Sequence, residues 1–237
     1  MFTRNLRVLP SEVSCNGGIK LRSLLDCFQD TASLAVENIE GTSSELLRRG
    51  YAWVVMRYEI DFHGEMPRLD DDIEIRTYHD PFHGYNTLRM FHVHSSGNEI
   101  ITAKTSWLLY DVRSGHAVKP VAHIPEIASG DTDVIGPEFE DIPVPGEIVS
   151  ATEHHVTVHD TDMNGHMNNA VYFALVYDTV PAEIVTGKLR RIRASFRSGA
   201  GLGENISINW SGNGVCSVMR GNISRPCAVF FMEWGGK

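Results

Sequence analysis

Apolar residues recur at two different periods along the chain, and the switch between them marks its elements. Over RSLLDCFQDTASLAVE, residues 22 to 37, Leu24, Leu25, Phe28, Ala32 and Ala35 fall at three- and four-residue spacing, which predicts an amphipathic helix. A second, short helix is expected over Ser43 to Arg49, stopped by Gly50. From there the period becomes two. Residues 52–63, 72–79, 85–94 and 99–111 alternate as long strands, with Gly97-Asn98 expected at a hairpin turn. Lys119 to Gly146 is rich in Pro, Gly and Asp and shows no period, which predicts a linker. Beyond it the order returns: a strand at Ala151 to His159, a helix from about Gly165 to Thr179, then strands near 189–197, 204–211, 214–220 and 226–234.

Sliding the chain on itself by 148 residues pairs Val8 with Val156, Asn16 with Asn164, Gly17 with Gly165, Asp30 with Asp178 and Thr31 with Thr179. Both copies set Asn-Gly ahead of a helix that precedes a run of strands, so the fold class expected is a duplicated α+β module. A long helix cradled by a curved antiparallel sheet buries one face of each.

Composition narrows the setting. The 237 residues are 42% hydrophobic and 22% charged, as in an ordinary globular protein. The longest uncharged apolar runs, such as Ala228 to Met232, are far short of the roughly 20 residues a spanning helix needs. The net charge of −9 argues against nucleic acid as a partner. Residues 1–10 lack the apolar run of a signal peptide, so a cytoplasmic location is expected. Cys15, Cys27, Cys216 and Cys227 are widely spaced and read as small buried hydrophobes.

The densest polar cluster is HDTDMNGHMNNAVYF, residues 159–173, at a strand-to-helix junction. Asp162, Asn164 and His166 alternate along an extended approach, which lets their side chains project to one side. Asp162 then suits a base or nucleophile, Asn164 an orienting group and His166 a proton relay. Backbone N–H groups of Gly165 and His166, at the expected helix start, suit an oxygen gaining negative charge. A plainer reading makes Asp, Asn and Gly caps of the helix. At the 148 offset Asp162 faces Ser14 and His166 faces Gly18, so the first copy keeps the turn and lacks the ionisable pair. One active site, in the C-terminal copy, is the expectation.

The segments LRSLLDCFQDTASLAVE, GYAWVVMRYEIDFHGEMPRLDDDIEIRTY, TAKTSWLLYDVRSGHAVKP and, most of all, DTDMNGHMNNAVYF resemble the acyl-acyl-carrier-protein (acyl-ACP) thioesterases over nearly the whole chain. The resemblance implies an α+β fold of two tandem hotdog modules, each a long helix packed in a curved antiparallel sheet. These occupy residues 1–125, expected to hold the acyl tail, and 147–237, expected to be catalytic, joined by 126–146. It implies hydrolysis of fatty acyl-ACP to free acid and carrier thiol without metal or cofactor. Asp162, Asn164 and His166 carry over as catalytic residues. The partner implied is an acylated carrier protein, and the assembly is a monomeric pseudo-dimer or a homodimer. Family members often place an acidic residue where FRSGAGLGE, 196–204, has Gly199. Alternatives are an acyl-CoA thioesterase and a catalytically weakened acyl-binding module.

Other features absorb less. KLRRIRASFR, 188–197, gathers cations in an acidic chain. Arg190, Arg191, Arg193 and Arg197 are a possible docking patch for an acidic carrier, against a plain solvated strand face. The pairs His79/His83, His92/His94 and His154/His155 lack a third ligand set, and a metal held by His159, Asp160, Asp162 and His166 is disfavoured. GAGLG at 199–203 precedes an alternating strand, so a turn is expected rather than a nucleotide loop. No G-x-S-x-G elbow occurs. Ala32 and Ala35 are expected to line the acyl tail.

Overall fold

A computed structural model describes residues 1–40, 42–80, 84–125, 135–136, 138–221 and 223–235. His83 and most of the segment 126–137 therefore lie outside the described residues. The chain runs β1 (Phe2–Arg7), α1 (Leu21–Glu40), α2 (Ser43–Arg48), β2 (Tyr51–Phe62), β3 (Asp72–His79), β4 (Asn86–Ser95) and β5 (Asn98–Asp111). Next come β6 (His116–Val118) and α3 (Pro120–His123). The second half is β7 (Ile148–His155), α4 (Asn169–Thr179), α5 (Ala182–Val185), β8 (Lys188–Phe196), β9 (Asn205–Ser211), β10 (Val215–Arg220) and β11 (Ala228–Gly235).

The strands form one antiparallel sheet in the order β1-β3-β4-β5-β2-β8-β11-β10-β9-β7, with β6 beside β5. Its two halves meet where β2 pairs with β8, from Arg57↔Ser195 to Asp61↔Arg191. In the first half α1 packs on β1 and β3, in the second α4 packs on β7 and β9, and the helices touch each other. One apolar core runs through both halves. Each half is a helix wrapped by its own strands, the hotdog arrangement.

The two helices solve burial differently. α1 is amphipathic, burying Leu24, Leu25, Phe28, Ala32 and Val36 while Leu34 faces solvent. α4 buries Ala170, Val171, Tyr172, Phe173 and Val176 around nearly its whole circumference, as a helix deep in a core must. Tyr172, Phe173, Phe196 and Phe230 meet edge-on around it, with ring centroids 5.0 Å apart for Phe173 and Phe230. Such offset geometry suits the ring quadrupoles.

Several expectations shift. The hairpin turn is Ser96-Gly97, since Ser95 pairs with Asn98. Both turn residues have positive φ, 50° and 80°, the twist that a two-residue hairpin requires. β2 carries a bulge at Met56, because Val55 faces Trp107 while Arg57 faces the adjacent Ser106. The N-terminal strand β1 lay unmarked in the periodicity. β6 precedes the expected linker and α3 occupies its start, where Tyr51 Oη and His123 Nδ1 lie 2.8 Å apart. Among the cysteines, Cys15 is exposed rather than buried, while Cys27, Cys216 and Cys227 are buried and all four are free. Burial pushes the Cys27 thiol up to about 11 and the Cys216 thiol up to about 12.

Candidate active site

The helix expected from Gly165 begins four residues later, at Asn169. What precedes it is a tight closed turn. Thr161 bridges Met167, Asp162 N–H donates to His166 O at 2.8 Å, and Gly165 N–H donates to Asp162 O at 3.1 Å. Gly165 sits at φ 77°, a left-handed backbone that glycine enters without steric cost. Asn168 is the N-cap of α4, accepting from Ala170 N–H at 2.8 Å. It also accepts from Gln29 Nε2 of α1 at 3.2 Å, which ties the first module's helix to the second module's turn.

The backbone N–H groups expected to face an oxyanion have partners within the turn. The Gly165 N–H is spent on Asp162 O, and the His166 N–H points to Asp162 Oδ1 at 3.4 Å. Neither group lies at a helix N-terminus, because the turn closes on itself before α4 starts.

Asp162 and Asn164 are brought together. Asp162 Oδ1 accepts from Asn164 N–H at 2.8 Å, and Oδ2 accepts from Asn164 Nδ2 at 3.3 Å. Both are half-buried, and with Met163 and Asn168 they border a cleft of about 360 Å³. The other wall is built by the first module: Ala32, Ser33 and Val36 of α1, Leu46 of α2, Trp53 of β2 and Trp107 of β5. The β2–β8 seam covers only Arg57 to Asp61, so Tyr51 to Trp53 border the cleft instead. Ala35, expected to line it, does not, while Ala32 does.

His166 is exposed and outside the cleft lining, and its ring makes no hydrogen bond to Asp162 or Asn164. Gly199 backs that ring. A Cβ on Gly199 would lie 2.8 Å from His166 Cδ2 and 2.9 Å from Cγ, so a side chain there would displace the imidazole. Gly199 O accepts from Arg220 Nη1 at 2.6 Å. Glu204, the carboxylate nearest in sequence, accepts from Gly201 N–H at 2.7 Å and so caps its own turn.

Asp160 is the buried carboxylate of the cluster. Burial raises the cost of its charge, but donation from Thr157 N–H and Thr157 Oγ1, both at 2.8 Å, outweighs that. With His154 Nε2 at 3.0 Å, the group is held below the usual carboxylate range. Among the described residues no three His, Cys, Asp or Glu side chains converge on a metal-sized site. No helix among them is long and apolar enough to cross a membrane.

Two of the four arginines expected to form a docking patch have partners along the seam. Arg191 pairs with Asp61 at 2.5 Å and Glu140 at 3.0 Å. Arg193 pairs with Glu140 at 3.1 Å, donates to Asp141 O at 2.5 Å, and lies 4.5 Å from the Phe231 ring centre. Arg57 and Lys104 flank the Phe139 ring. These cations hold the linker's end on the outer face of the seam and are spent there, while Arg190 and Arg197 stay exposed.

With a carboxylate–amide pair of one hotdog module opening on a cleft walled by the other, family comparison becomes decisive. The acyl-ACP thioesterase N-terminal domain matches residues 1–126 and the acyl-ACP thioesterase C-terminal domain matches residues 146–222. The chain belongs to the acyl-ACP thioesterase family. It is a thioester hydrolase acting on fatty acyl-ACP. The fold is similar to that of an acyl-ACP thioesterase from Bacteroides thetaiotaomicron, at TM-score 0.79 and 20% identity, covering 98% of this chain and 97% of that one. It is similar too to the 12:0-ACP thioesterase from Umbellularia californica, at TM-score 0.83 and 18% identity over 100% of this chain and 97% of that one. No curated protein sequence matches the chain.

Residue reasoning missed the polar part of the cleft's first-module wall. Arg89 and Thr87 both line it, and alternation along β4 puts them on the same face as the buried Phe91 and Val93. That phase was the available signal.

Proposed function

We propose that acyl-ACP hydrolysis takes place at the Asp162–Asn164 pair, with the acyl chain in the adjoining cleft. The division of labour follows: residues 1–125 wall the chain, 147–237 carry the chemistry, and 126–146 join them. The observation that carries this reading is that Asp162 and Asn164 border a cleft whose opposite wall is Ala32, Val36, Trp53 and Trp107.

Asp162, oriented by the Asn164 peptide, takes a proton from water as that water attacks the thioester carbonyl carbon. The alternative is direct attack by the carboxylate, giving an anhydride that water then opens. In both, the C–S bond breaks, the carrier thiol leaves with a proton, and the free acid remains. Asn164 Nδ2 is a side-chain donor beside the carboxylate, and its second N–H suits the carbonyl oxygen as charge develops. His166, exposed on the same turn and outside the cleft lining, suits protonation of the departing thiolate. The carrier arrives from solvent on this side. Internal pairing of the two modules makes a monomer sufficient, with a homodimer as the other assembly. A reducing cytoplasm suits four free cysteines.

Hydrolysis of acyl-ACP and acyl-CoA panels by the wild type, Asp162→Ala and His166→Ala tests the site. Loss in Asp162→Ala with an unchanged melting temperature is expected. Hydrolysis that survives both substitutions removes the assignment. Ala32→Phe should shift preference to shorter chains, because overfilling a packed wall costs about 1–3 kcal/mol unless the ligand gives way.

A further inference from the structure

The sheet wall of the cleft is polar where a hydrocarbon chain alone would call for apolar residues. On the inward face of β3, Ile73 and Ile75 give way to Thr77 and His79. On β4, Val93 and Phe91 give way to Arg89 and Thr87. Register sets these side by side, with His79 opposite Arg89, Arg89 opposite Thr105, and Thr87 opposite Trp107. The polar residues among them are all buried, Arg89 at 6% and Thr87 at 5% exposure. The corresponding face of the second module, Ile206, Ile208 and Trp210 on β9, is apolar throughout.

The polar row is held in place. Arg89 Nη1 donates to Thr77 Oγ1 at 3.1 Å, Thr77 Oγ1 donates to Met90 O at 2.7 Å, and Thr105 Oγ1 donates to Arg89 O at 3.0 Å. Trp107 Nε1 donates to Thr105 Oγ1 at 2.8 Å. His79, Arg89 and Thr87 border the cleft, and the Thr87 hydroxyl has no hydrogen-bond partner among the described residues. A buried hydroxyl beside a guanidinium costs free energy unless an acceptor reaches it.

We propose that this wall is a specificity subsite for an acyl chain bearing an oxygen function, a hydroxyl or carboxylate, away from the thioester. Arg89 donates to that oxygen as a directional fork, and Thr87 donates or accepts beside it. The inference rests on the cleft being the acyl site. It adds that the enzyme distinguishes oxygenated chains from plain ones of equal length.

Steady-state kinetics of the full-length protein test it, using acyl-ACP substrates of one chain length. They carry no substituent, a hydroxyl at successive chain positions, or a terminal carboxylate. The wild type should favour at least one oxygenated substrate by roughly tenfold or more in kcat/KM, because a buried Thr87 hydroxyl left unpaired penalises the plain chain. Thr87→Val and Arg89→Met should each cut that ratio at least threefold, with the change in KM, and Arg89→Lys should restore part of it. Thr87→Val keeps the side-chain shape and covers the case in which Arg89→Met does not fold. A wild-type ratio near one across the series overturns the subsite, as does a ratio that both folded variants leave unmoved. Hydrolysis of the plain substrate that no longer needs Asp162 overturns the site assignment instead, so the two readings fail separately.

Discussion

The two modules keep the same hydrogen bonds around the turn that precedes each helix, yet few of the residues that make them. Val8 exchanges bonds with Asp70 and Asp71 just as Val156 does with Gly203 and Glu204. Glu12 caps Leu9 N–H at 2.7 Å where Asp160 caps Thr157 N–H at 2.8 Å. Asp71 caps Arg68 N–H at 2.8 Å where Glu204 caps Gly201 N–H at 2.7 Å. Ser14 and Gly18 close one turn, Asp162 and His166 the other, each across a left-handed glycine. Backbone geometry is thus the shared inheritance, satisfied by whichever acid, Asp or Glu, reaches. What differs is cargo: the first module hollows its sheet face and lines it with polar groups, while the second fills the same face with Trp210.

Exchanging turn residues attacks that contrast most directly. Asp162→Ser gives the second turn the first one's residue and should lower kcat/KM on the order of 10³-fold, within the range of a lost acid–base group. Ser14→Asp should leave kcat/KM within about twofold. If the two substitutions act alike, the modules do not differ in chemistry.

The filled face is next. Trp210 is 1% exposed and meets Trp234 edge-on at 5.5 Å. Trp210→Ala should cost about 3–5 kcal/mol in chemical denaturation, with chain-length preference unchanged. A changed preference would show that the second module also holds the chain.

A smaller effect is expected at the seam. Arg193→Ala should destabilise by about 1–2 kcal/mol, since the pair with Glu140 is only partly screened by water. Its kcat/KM should show the same salt dependence as the wild type. A loss confined to kcat/KM and abolished by salt would restore the docking role to this strand.

The smallest separates the two acid caps by pH. The Asp160 carboxyl sits below its ordinary range, so the stability it contributes is present above the unfolded value near 4 and fades as pH falls through the lowered folded value. Asp160→Asn should therefore cost about 1 kcal/mol at pH 7, more than Glu12→Gln, with the deficit shrinking in acid. Equal deficits at pH 7 and pH 3 would mean the cap acts by shape and not by charge.

Much of this was legible in the residues. Alternation located β2 to β5 within about a residue or two at each end, and Asn-Gly located both turns. The start of α4 was misread because Asp, Asn and Gly announce a tight turn and a helix start with the same letters. Here the turn took them and Asn168 did the capping. The strand at Lys188 to Phe196 shows the same limit. Its alternation was right, but Glu140, whose carboxylate pairs with Arg191 and Arg193, and Asp141, whose backbone carbonyl accepts from Arg193, come from a segment without periodicity, so no local pattern announced them.

The sequence by itself determined the order of the two main helices and of the long strands β2 to β5, the duplication and the pairing of Asp162 with Asn164, because period, turn chemistry and i to i+2 contacts are local properties of the chain. Only the tertiary structure decided that β2 joins β8, that α1 bonds to the N-cap of α4, and that Arg89 and Thr87 share a cleft with Asp162. Those are contacts between residues far apart in sequence, and they depend on how two separately buried faces are brought together.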